Sequence, residues 1–190
     1  NFIVSAKAFP ELRKKIFQAL PDDGSVQKNK LLLLLCFESG EIDEAFSILK
    51  SLDLSNPNYI ECLPYLAVAE QKEAWDFVVV LVEKLLQYEK DRRTILELKL
   101  KLFTANFNLE RLPEVIRIGE GILANSEEMD LLNDQNKEKL LVQTTFAWLQ
   151  RGKYLEAKKL IEKHGSLLKT FEAKVAAEAE TYIKNKEPEK

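Results

Sequence analysis

LLLLLCFESGEIDEAFSILKSLDLSNP, residues 31–57, is the stretch whose reading decides the fold. It holds an apolar helix, a break at Gly40 and then a second, amphipathic helix. Ala45, Leu49 and Leu52 follow i, i+4, i+7 spacing, the stripe of a helix with one buried face. Leu33 and Cys36 supply apolar positions on the helix before the break. Asp43 falls near the start of the second helix, where a carboxylate suits the positive end of the helix dipole. Pro57 stops the second helix. A hairpin of this size cannot bury its apolar faces alone, so it must stack on neighbours.

Moving along the chain by 33 residues, the distance from Ala45 to Val78, brings the pattern back. Tyr65, Leu66 and Ala69 form one stripe and Val78, Val82 and Leu85 the next, with residues 72–76 serving as the turn although no glycine marks it. A third hairpin carries Leu102, Phe103 and Asn106, then Val115, Gly119 and Ile122, and is the least regular copy. The fourth, FAWLQRGKYLEAKKLIEKHG, turns at Gly152, with Trp148 before it and Ala157, Ile161 and His164 after it at the offsets of Ala45, Leu49 and Leu52. Val78 to Val115 and Val115 to Ala157 exceed one repeat, which predicts insertions near residues 88–93 and 125–136.

The repeats are expected at 26–58, 59–93, 95–130 and 137–170, preceded by a partial copy at 8–24 and followed by a final helix at 171–185. Pro10-Glu11-Leu12 and Pro113-Glu114-Val115 each open a second helix with proline in its first turn. Together they make one helical-repeat domain over 1–190, expected to be a fragment of a longer protein because the chain opens on Asn1 inside a repeat.

Composition narrows the function. With 6 Gly and 6 Pro in 190 residues, the chain is short of the turn residues a strand-rich fold uses. Its 28 Lys and Arg against 31 Asp and Glu disfavour a dedicated nucleic-acid binder. The basic cluster Arg13, Lys14 and Lys15 and the pair Lys158–Lys159 are short, and acidic residues interleave along the helices. The longest apolar run, residues 31–37, is far short of a membrane span, so no membrane insertion is expected. Cys36 and Cys62 read as small buried hydrophobes, which suits a reducing, intracellular and cytoplasmic setting.

The chain resembles the tetratricopeptide-repeat (TPR) family. That family's motif has a small residue ahead of the hairpin's close contact, glycine near the turn, alanine early in the second helix and proline at the repeat end. The first full copy matches it with Leu33, Gly40, Ala45, Leu49 and Pro57, and the last with Thr145, Trp148, Gly152, Ala157 and Ile161. Val78 and Val115 replace the alanine in the two middle copies. The resemblance implies an all-α fold, a right-handed α-α superhelix of TPR-like hairpins. It also implies partner binding on a concave groove lined by the first helix of each pair. Position by position, that groove would present Lys30, Leu34 and Phe37; Ile60, Leu63 and Ala67; Leu100, Thr104 and Phe107; and Lys139, Val142, Phe146 and Leu149. The family's carboxylate clamp wants asparagine where Leu34 stands, so a chaperone C-terminus is not the expected ligand. The groove is largely apolar and suits an amphipathic helix or an apolar peptide segment of another protein.

Catalytic chemistry is absent from the pattern. The one histidine, His164, reads as a packing residue near a helix end. One histidine and two distant cysteines do not make a zinc site. The glycines of residues 118–122, IGEGI, lie inside a helix and cradle no phosphate. The pairs Glu127–Glu128 and Asp22–Asp23 read as capping and solvation. No enzyme, cofactor or metal is expected. The leading reading is a non-catalytic interaction module or scaffold. The alternatives are a structural spacer whose groove is filled by its own neighbouring helices and, less favoured, a helical-repeat RNA binder.

Overall fold

The structure, a computed structural model, describes residues 26–51 and 59–168, together with Lys15, Gln18 and Ala19, which are helical. The helices are α1 (Val26–Ser39), α2 (Ile42–Ser51), α3 (Tyr59–Gln71), α4 (Trp75–Leu86), α5 (Arg92–Asn108), α6 (Leu112–Ala124), α7 (Ser126–Leu131), α8 (Asp134–Gln150) and α9 (Tyr154–His164), followed by a 3-10 turn at Gly165–Leu167. No strand occurs among the described residues, so the expectation of an all-α chain holds there. The expected partial copy at 8–24, apart from those three residues, and the expected final helix at 171–185 lie outside the described residues. Among the described residues, no helix is long and apolar enough to cross a membrane.

Four helix ends share one backbone conformation. Gly40, Glu73, Glu110 and Gly152 take φ of 76°, 55°, 54° and 71°. In each case the next residue donates its N–H to the carbonyl five positions back. The pairs are Glu41 to Cys36, Ala74 to Ala69 and Arg111 to Asn106, each at 2.9 Å, and Lys153 to Trp148 at 3.0 Å. This left-handed ending satisfies carbonyls that the helix itself leaves open. Five residues beyond each turn, Ala45, Val78, Val115 and Ala157 are at most 1% exposed. Seven residues before it, Leu33, Leu66, Phe103 and Thr145 are at most 2% exposed. The two-glutamate turns bear a left-handed cost that glycine avoids, about 1–2 kcal/mol per residue. The third hairpin, least regular in residue type, closes with the same turn as the others.

The expected insertions take definite forms. Before α5, the Asp91 carboxylate accepts from Thr94 N and Thr94 Oγ1, both at 2.8 Å, and caps the helix. Those two bonds hold its carboxyl below the usual carboxylate range. α5 then runs for 17 residues, against 13 in α3. The second insertion folds into the six-residue α7, where Asn125 Oδ1 accepts from Glu128 N at 3.2 Å. Asn133 Oδ1 caps α8 by accepting from Asn136 N at 2.8 Å.

The chain separates into two compact units, Asn1–Leu98 and Lys99–Lys190, divided within α5. In the first, α1 packs on α2 and α3, and α3 on α4. Its core includes Leu35, Leu49 and Phe77, and the ring of Phe77 meets Phe46 edge-on at 5.5 Å. In the second, α8 packs on both α6 and α9. There Gly119 permits a close approach, since a Cβ on it would collide with Thr144 Oγ1 and sit 3.0 Å from the Phe103 ring.

Candidate functional site: a half-exposed apolar strip on α5 and α8

The site begins with how α8 distributes its residues. Leu140, Leu141, Thr144, Thr145 and Ala147 are buried. Thr144 satisfies its hydroxyl by donating to the Leu140 carbonyl at 2.7 Å. With 3.6 residues per turn, Val142, Phe146 and Leu149 fall on the other side of the helix at i, i+4, i+7. Val142 and Leu149 are half-buried, whereas Phe146 is 46% exposed. α5 repeats the arrangement. Leu98, Leu102, Phe103, Ala105 and Asn106 are buried, and Leu100, Thr104 and Phe107, again at i, i+4, i+7, are half-buried.

The two rows meet. The rings of Phe107 and Phe146 lie 6.1 Å apart between centroids, tilted by 52°. Lys139 Nζ donates to Thr104 Oγ1 at 3.4 Å, and Lys139 itself is exposed. Of the partner-facing residues expected from sequence, Leu100, Phe107, Lys139, Val142, Phe146 and Leu149 thus occupy two helices of the second unit, with ring contact between the two phenylalanines. In the first unit, Leu34 is half-buried, Ala67 is exposed and Glu70 stands in the column that Phe107 and Leu149 occupy in the second. The side chains of Lys30, Phe37, Ile60 and Leu63 lie outside the described residues.

Two features of the second unit escaped sequence reading because they join residues 28 and 29 apart. Trp148 Nε1 donates to Glu120 Oε1 at 2.8 Å, so this indole is both packed and tethered. Lys99 pairs with Glu128, tying α5 to α7, while Glu128 Oε2 is buried without a hydrogen-bond partner. On the side of α6 and α9, an open cleft of about 330 Å³ is lined by Glu120, Leu123, Leu160, Lys163 and His164 among others. Burial there pushes the His164 imidazole below its ordinary pKa, and the neighbouring Lys163 charge adds to it.

Among the described residues, no group of three or more His, Cys, Asp or Glu side chains could hold a metal ion. What the α5–α8 strip offers is apolar area with one aromatic ring open to solvent. Comparison with family models, with curated proteins and with solved structures gives no match for this chain.

Proposed function

We propose that this chain is a non-catalytic interaction module, a TPR-like run of helical hairpins that docks another protein on the first-helix face of its second unit. The observation that carries this reading is the Phe107–Phe146 pair. Two aromatic rings meet on a helix face, and Phe146 keeps 46% of its surface open beside Val142 and Leu149. Contiguous exposed apolar area is a liability unless something covers it. Aromatic side chains are also the residues that most often anchor protein interfaces. The four turns of one conformation, at spacings of 33, 37 and 42 residues, support the repeat reading, since stacked hairpins characteristically serve as binding surfaces.

The competing reading is a spacer whose strip is filled from within the same polypeptide. A photo-crosslinking amino acid in place of Phe146, introduced in the cell of origin, separates the two. Docking predicts discrete crosslinked species to another protein, absent when the same probe replaces Leu155, which is 64% exposed and lies on α9. A probe at Phe146 that crosslinks only within the chain would favour the spacer and sink the docking reading. Purified Phe107→Ala gives a second measure. Docking predicts loss of a captured partner, on the order of 1–3 kcal/mol of affinity, with the fold retained. The spacer predicts a lowered thermal midpoint and unchanged capture.

A further inference from the structure

We draw no further inference here: the strongest candidate, the open cleft on the side of α6 and α9, carries nothing because Glu120 and Glu156 line it together with Lys159, Lys163 and His164, so that nothing in the structure shows what it would hold.

Discussion

Helix α8 makes two contacts of opposite character, one with α6 and one with α5. Against α6 the space is fully used: Gly119 is buried, and the Thr144 hydroxyl occupies the place where a Cβ would stand. Against α5, along the outer row, Phe107 and Phe146 touch while Phe146 keeps 46% of its surface in solvent. Phe103 and Phe107 sit one turn apart on α5, yet Phe103 is 2% exposed and serves the seam, while Phe107 serves the strip. Aromatic identity therefore carries little information about role. Helical phase relative to the turn at Glu110 carries most of it.

The strongest way to break this contrast is to crowd the seam. Gly119→Val places two methyl groups where Thr144 and the Phe103 ring already stand, and should cost about 3 kcal/mol, the upper end for overpacking. A urea midpoint equal to wild type would show that α6 and α8 are not locked together. Ala157→Leu tests the neighbouring contact of α8 with α9. Ala157 is 1% exposed, so a larger side chain should cost about 2 kcal/mol. An unchanged denaturation midpoint would contradict the placement of Ala157 in that hairpin.

The strip should respond more weakly. Phe146→Ala removes a ring that is already half solvated and loses one tilted aromatic pair, so it should cost about 1 kcal/mol or less. A core phenylalanine truncated to alanine costs about 3–5 kcal/mol. A loss of that size at Phe146 would show that the ring is covered by the chain's own residues in solution, and the distinction between seam and strip would fall.

Much of this was legible because the hairpin imposes a fixed phase. From Gly40 and Gly152, counting forward by five reaches Ala45 and Ala157, and both are buried. The middle turns were harder, since Glu73 and Glu110 take glycine-like backbone angles without being glycine. Their positions follow from the apolar stripes on either side and not from the turn residue. On α8, Phe146 is 46% exposed while its neighbours Thr145 and Ala147 are buried. What sequence could not provide was every link across the insertions. Lys99 to Glu128 and Trp148 to Glu120 depend on how α7 and α6 are placed, and no periodicity encodes a partner nearly thirty residues away.

The smallest expected effect concerns pH, and it sharpens the contrast because it belongs to the seam side alone. His164 lies in the last turn of α9 and lines the cleft beside Glu120 and Lys163. Two influences oppose each other there. A helix C-terminus favours a cation, whereas burial and a neighbouring ammonium favour neutral imidazole. Burial wins, followed by Lys163, and the folded pKa lies below the ordinary 6.5. The unfolded chain then takes up the proton first as pH falls through 6.5, and between that value and the folded pKa it holds more protons than the folded chain. This contribution is fully present above the unfolded value and is lost as pH falls through the folded one. Thermal midpoints measured at about pH 7 and about pH 5.5 should therefore fall more in the wild type than in His164→Gln. Phe146→Ala should keep the wild-type pH dependence, since a phenyl ring binds no proton. Equal acid sensitivity in wild type and His164→Gln would show that the imidazole is solvated, and that the packing around α8 does not extend to the end of α9.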